Sequence, residues 1–369
     1  MAVKLGNGNW AVKEDKLLAY NDNSGLFFNK EFDFSRGSTA TYVGRDGLIA
    51  SAASGVPRID FTNDTKGHLL LEPSRTNLIP YSEDFSSLDI RNNAVVTSNA
   101  ILSPSGLLNA DEITFDGTSL GRVQEAITVT NNQSYTISLY LKNKNLSDTT
   151  QVWIGFAGSF QGGYVTITDE WKRYDITTTS NNTTEYPRIQ FDGTGSLYAW
   201  GFQVEEGDYS TSLINTTGAA STRNADVCNN SGSAQDFNSE EGVLYAEIGA
   251  LADDGTNRLL SINDSTSSNS IWLYFNTANN VTYSVRVGGV AQASASHTID
   301  IKTFNKIAIK YKENDFAVWF NGVKTLTDTS GNTYTSGTLN NISFDAGDGA
   351  LDFYGKVRNL QVFTEALTD

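Results

Sequence analysis

The sequence is poor in the groups on which most chemistry depends. It has one cysteine, Cys228, so no disulfide can close within the chain. Lacking a Cys-x-x-Cys partner, that thiol offers neither a zinc ligand set nor a redox pair and reads as an inert loop residue. There are two histidines, His68 in a connector and His297 in the polar turn SASASHTID. A lone histidine is more often a surface or hydrogen-bonded residue than a catalytic base. The one Gly-x-Ser-x-Gly string, Gly117-Thr118-Ser119-Leu120-Gly121, is followed by no helical pattern and so is not a nucleophile elbow, and no Gly-x-x-x-x-Gly-Lys phosphate loop occurs. No run of about 20 apolar residues exists, which excludes a membrane-spanning helix. The opening MAVKLGNGNW lacks the apolar stretch of a secretory signal, so synthesis in the cytoplasm is expected. Basic residues are in deficit: 26 Lys and Arg against 42 Asp and Glu give a formal charge of −16. With no basic stripe to offset it, such a surface repels nucleic acid and anionic membrane.

What the sequence has in quantity is Gly, Asn, Ser and Thr, with short apolar segments that alternate and are broken by turns. That is an all-β composition. A length of 369 residues implies two or three domains, because a single core stops growing at about 250–300 residues. Residues 81–225 read as a first antiparallel sandwich. In SYTISLYLK, Tyr135, Ile137, Leu139 and Leu141 point one way, and in Gln151–Phe156 so do Val152, Ile154 and Phe156. LYAWGFQVE puts Tyr198, Trp200, Phe202 and Val204 on one face. The polar stretch Ser221–Ser239 reads as a linker. Residues 226–369 read as a second sandwich, with Asn321-Gly322 as a two-residue hairpin turn between FAVWF and VKTLT.

Residues 1–80 are extended and turn-rich, with Gly44-Arg45-Asp46-Gly47 as a tight turn. Trp10, Phe28 and Phe34 belong to a set of large apolar groups too numerous for a free tail and too interrupted for a domain. They pack on a partner subunit or on the body of the chain, or cap the next domain as a hairpin. The words RGSTATYVGRDGLI, PRIDF and GHLLLEPSRTNLIPYSEDFS closely resemble a leader of bacteriophage virion proteins, where it precedes glycan-binding-type β-sandwiches. Arg36, Arg58 and Arg75 map onto that leader. SYTISLYLK, EWKRY and AWGFQVEEGDYSTSLINT resemble carbohydrate-binding-module-like jelly rolls. FAVWFNGVK and GKVRNLQVFTEALTD are similar to the concanavalin-A-like or laminin-G-like family. These resemblances imply an N-terminal attachment segment followed by two jelly-roll sandwiches in a virion fibre or appendage. The implied partners are other virion proteins, further copies of the chain (a homo-oligomer such as a trimer) and a cell-surface glycan.

No catalytic set is legible. Adjacent acids such as Glu205-Glu206 face opposite ways on a strand and cannot flank a scissile bond. The Glu-x-Asp-x-x-Glu string of concanavalin-like glycosidases is absent. Asp345, Asp348 and Asp352 offer oxygen ligands for a structural calcium, but their spacing is not that of an EF-hand, and a solvated acidic turn is the commoner explanation of such a cluster. No other cofactor is implied. Sugar binding needs exposed aromatic faces with fixed polar groups beside them. Tyr140, Trp153 and Tyr164 in the first sandwich, and Trp272, Tyr274 and Trp319 in the second, fall opposite the expected core faces or on loops. Burial of those second faces would make them core instead. Three functions follow: adhesion without catalysis, depolymerisation of a polysaccharide by lyase or hydrolase chemistry, and pure architecture.

Overall fold

The structure is a computed structural model and describes residues 4–5, 10–13, 16–21, 27–91, 93–147 and 150–367. Among the described residues the chain is all β, and its one helical element is the 3-10 turn Phe85–Ser87, capped by the Asp84 carboxylate. Contacts divide the chain into two units, one of Met1–Thr39, Ala52–Pro73 and Ala225–Asp369, the other of Ala40–Ser51 and Ser74–Asn224. The first 80 residues are thus shared between the two.

The unit containing Ser74–Asn224 is a sandwich of two five-stranded antiparallel sheets. One sheet runs, in order, Asp89–Arg91, Gly121–Gln124, Pro187–Phe191, Gln151–Phe156, Gln161–Thr166. The other runs Ala94–Leu102, Leu108–Asp116, Thr194–Glu206, Ser134–Asn143, Lys172–Thr179. Period-two alternation places Tyr135, Ile137, Leu139, Val152, Ile154 and Phe156 between the sheets, all essentially excluded from water. The strand Thr194–Glu206 departs from the simple alternation. Leu197 and Ala199 face this core, then Gly201, at φ 69°, forms a bulge, after which Phe202 and Val204 face it. Trp200 is thereby turned to the opposite side, where it packs with Ala110 and Leu213. A one-residue insertion shifts the facing set, so the expectation that Trp200 shares a face with Phe202 and Val204 is corrected. The turn at residues 44–47 closes the hairpin of Ala40–Val43 and Ile49–Ala52.

The other unit holds a five-stranded sheet (Val290–His297, Val281–Val287, Ser270–Phe275, Arg258–Asn263, Asn341–Ser343) and a larger sheet centred on Gly355–Phe363 and Glu241–Ala250. His68–Leu71 pairs with Gly355–Phe363, so part of the connector is a strand of this body. Asn321 and Gly322 both have positive φ, 51° and 84°, and Phe320 pairs directly with Val323, as a type I′ hairpin requires. The stretch expected to be a linker is structured. Val227–Asn229 pairs with Asp33–Ser35, and Ser231 is buried against Ile342.

His68 is buried, with Nδ1 3.2 Å from Asp64 Oδ2. Arg358 donates to the same carboxylate at 3.2 Å and to Glu247 at 2.7 Å. Burial opposes the Asp64 charge, but the hydrogen bonds from His68, the Lys66 amide and Arg358 outweigh it and hold the carboxyl well below the usual range. A depressed carboxyl stabilises the fold fully above its unfolded value of about 4 and loses that contribution as pH falls further. Acid unfolding should therefore be steeper between about pH 4 and pH 2 in the native chain than in Asp64→Asn. Equal slopes in urea unfolding series at those pH values would remove Asp64 from the account.

Candidate functional site

The outer face of the sheet carrying Gln151–Phe156 combines exposed aromatics with one buried and one half-buried arginine. Because Val152, Ile154 and Phe156 face the core, Trp153 and Gly155 face outward. Register then aligns neighbours from three other strands. Arg122, Gln190, Trp153 and Tyr164 form one row, and Gln124, Arg188, Gly155 and Gly162 the next. The glycines make room: a Cβ on Gly155 or Gly162 would fall 2.5 or 2.6 Å from atoms of the Trp153 indole. The indole therefore lies against the bare backbone, only 8% exposed, with the Arg188 guanidinium 5.1 Å from its ring centroid.

Two aromatic rings beside it are open to solvent. Tyr164, directly opposite Trp153, is 68% exposed, and Phe160 is 79% exposed with its ring 6.3 Å from that of Trp153. Phe160 has φ 55°, a left-handed conformation that is strained for a bulky residue. The strain holds an apolar ring out at the hairpin tip, where it gains no burial.

The polar groups of this face lack partners. Among the described residues neither Arg122 nor Arg188 has a carboxylate within ion-pair distance. The Nε atoms of both, and Gln190 Oε1, are buried without a hydrogen-bond partner. Burial, then the charge of Arg122, lowers the Arg188 pKa from its ordinary value. Chemically the face can stack a ring on Tyr164 and Phe160 and donate hydrogen bonds beside it.

The structure brings Trp153 and Tyr164 together as cross-strand neighbours. Tyr140 lies on the other sheet, half-buried and 5.5 Å from Trp200 in the side cluster with Leu213. In the second body Trp272 and Tyr274 share an outer face, edge to face at 6.3 Å. There the Trp272 Nε1 donates to the Ala346 carbonyl and Arg286 covers its ring at 4.5 Å. Trp319 is half-buried beneath Lys324. Asp345 is buried and accepts from the Gly347 amide at 2.6 Å; Asp348 accepts from the Ala350 amide, and Asp352 from the Tyr354 hydroxyl. Burial raises the pKa values of Asp345 and Asp352. Among the described residues no group of three or more His, Cys, Asp or Glu is placed to hold a metal ion.

The leader residues have partners within their own units. Arg36 and Arg58 converge on Asp226, and Arg58 also reaches Glu72 at 2.6 Å. Arg75 approaches Glu205 at 3.7 Å and stacks near Tyr209. Trp10 is buried against Phe32 and Phe344. Phe34 lies beneath the Arg36 guanidinium, and the side chain of Phe28 lies outside the described residues.

Phe160, Arg122, Arg188 and Gln190 were not singled out from sequence. The alternation in PRIQF, with Ile189 and Phe191 inward, is the signal that would have turned Arg188 and Gln190 outward.

No family model matches the sequence, and no curated protein is significantly similar to it. Solved structures with a similar fold include the carbohydrate-binding module CBM40 of the Ruminococcus gnavus IT-sialidase bound to α2,3-sialyllactose. It is 19% identical over 38% of this chain and 89% of that one, with a TM-score of 0.31. Domains LG4-5 of the mouse laminin α1 chain are 9% identical over 74% and 89%, with a TM-score of 0.26. The CBM22-1–CBM22-2 tandem of Paenibacillus barcinonensis Xyn10C is 10% identical over 78% and 97%, with a TM-score of 0.26.

Proposed function

We propose that the chain is a non-enzymatic structural protein of a bacteriophage virion, a tail or head fibre or appendage, that adheres to host-surface polysaccharide. The observation that carries the adhesive reading is the outer face of the first sandwich, with Tyr164 and Phe160 standing open beside partnerless Arg188, Arg122 and Gln190. Sugars are bound by this combination: an apolar ring face for the C–H side of a pyranose and fixed donors for its substituents. The virion reading is supported by the leader words and not by this face. Absence of catalysis is supported by the character of the polar groups, since a glycosidase needs two facing carboxylates and this face presents arginines. The protein works without a cofactor, and its copies assemble into a homo-oligomer such as a trimer on the particle. Neighbouring strands lie about 4.8 Å apart, so the row from Tyr164 to Arg122 spans roughly 14 Å, room for a short oligosaccharide rather than a single sugar.

Binding of the full chain to an array of host-surface glycans tests this reading. The Tyr164→Ala, Phe160→Ala double variant should fold normally, both side chains being exposed, and should bind at least about tenfold more weakly, the equivalent of about 1.4 kcal/mol. Undiminished binding by the variant would move the site elsewhere, and release of new reducing ends or unsaturated uronates from the polysaccharide would make the protein a depolymerase.

A further inference from the structure

We infer that this face selects a negatively charged glycan: a pyranose bearing a carboxylate or a sulfate, gripped by Arg188 and Arg122 while its ring stacks on Tyr164 and Phe160. The inference rests on the adhesive reading and adds the charge of the ligand.

Arg188 and Arg122 differ from the ion-paired arginines of the chain. Among the described residues several other arginines, buried or half-buried, are neutralised by acids, while half-buried Arg173 and Arg286 bond to carbonyls and a hydroxyl. Arg36 and Arg58 face Asp226 and Glu72, Arg258 holds Asp254, and Arg358 holds Asp64 and Glu247. Acids are not scarce, since they exceed bases by 16. Yet Arg188, 5% exposed, stands diagonally across one strand pair from Arg122 with no carboxylate on either. Diagonal neighbours in a sheet are about 7–8 Å apart, close enough for the two charges to oppose each other and to converge on one anion. Asp89, opposite Gln124 at the far edge, is the one acid in these two rows among the described residues, and it lies two strands from Arg188.

Stacking on Trp153 compensates part of the burial, because an indole face attracts a cation. It leaves the in-plane donors of the guanidinium unused, and those are the donors that match a carboxylate or sulfate oxygen pair. The unpartnered Nε of Arg188, itself more than nine-tenths buried, is such a donor. Burial and the neighbouring arginine depress the Arg188 pKa, which is the direction expected where a counter-anion is wanting. Gln190 lies between Arg122 and Trp153 in the same row with its Oε1 unpartnered, an acceptor for a ring hydroxyl.

The test titrates the full chain with polygalacturonate, alginate, hyaluronate and dextran sulfate, each beside its carboxyl-reduced or unsulfated form. At least one charged member should bind ten times or more tightly than its neutral counterpart, with a preference that shrinks as salt rises. Whether the preferred members are carboxylated or sulfated distinguishes the two anion sources. Arg188→Gln and Arg122→Gln should each abolish the preference, and Arg188→Lys, which keeps charge without the planar fork, should restore only part of it. Arg188→Gln should also melt at or above the native temperature, because it removes an uncompensated buried charge. Equal affinity for every charged and neutral pair, with binding still lost in the Tyr164→Ala, Phe160→Ala variant, overturns the charge inference and leaves adhesion standing. Binding of no member of the panel and no array glycan overturns both. A preference that survives in Arg188→Gln, with a melting point lowered by several degrees, makes that arginine structural and overturns its assignment.

Discussion

Asp226→Asn is expected to destabilise the unit containing Ala225–Asp369 by about 3–5 kcal/mol, the range for breaking a buried ion pair from one side. The Asp226 carboxylate accepts from Arg36 Nη1 at 3.0 Å, from Arg58 Nη2 at 2.5 Å and from the Glu72 amide at 2.8 Å. The side chains of Arg36, Arg58 and Asp226 are completely inaccessible to water. Burial disfavours the Arg58 cation, and the facing Asp226 and Glu72 more than offset this, holding its pKa above the ordinary value. Asparagine keeps the shape but removes the charge and turns an NH2 group toward a donor. Arg36 keeps carbonyl partners at Ser38, Ala53 and Val56, and Arg58 keeps Glu72. Urea unfolding checks the size of the loss. In a double-mutant cycle with Arg36→Gln, the paired substitutions should cost less than their sum. A midpoint unchanged in Asp226→Asn would mean that water reaches the site.

The second large effect is expected at Asn77, in the other unit. Asn77 is fully buried, and its amide satisfies four backbone groups at once. Nδ2 donates to the carbonyls of Phe202 and Ile214 at 3.1 and 2.9 Å, and Oδ1 accepts from the amides of Ile79 and Val204 at 3.1 and 3.0 Å. Alanine strands all four. At about 1–3 kcal/mol for each buried unsatisfied group, less what local relaxation restores, Asn77→Ala should cost about 4 kcal/mol. Asn77→Asp separates hydrogen bonding from packing. It preserves the volume and both acceptor contacts but turns carboxylate oxygen against two carbonyls, so it should be no better than alanine. Recovery of native stability by aspartate would show that shape, not donor chemistry, is what the position supplies.

These two residues show where sequence reasoning succeeds and where it stops. The core alternation of SYTISLYLK and the Asn321-Gly322 turn are local patterns, and both are realised. Trp200 was turned about by Gly201, because a bulge changes facing without leaving a mark in a period-two pattern. The Ser221–Ser239 stretch looked like a linker because it is polar. Its polar groups, however, are partners: Asp226 answers arginines 168 and 190 residues away. Trp153 is legible because its strand declares its own outward face, and Tyr164 because it falls in the turn-rich stretch GSFQGGY. Arg122 and Arg188 are not, because the register that sets them beside that tryptophan joins strands far apart in sequence.

The central place of Gly355–Phe363 has a consequence for how the protein is made. That strand pairs with Glu241–Ala250 on one side and with His68–Leu71 on the other. On the ribosome, the edge of His68–Leu71 that faces away from its hairpin partner Arg58–Asp60 must therefore wait, its backbone bonds open, while almost three hundred further residues are translated. The sandwich of Ser74–Asn224 needs only strands that have already emerged and can close first. Nascent chains arrested before residue 355 should accordingly bind glycan while remaining open to protease at residues 58–71.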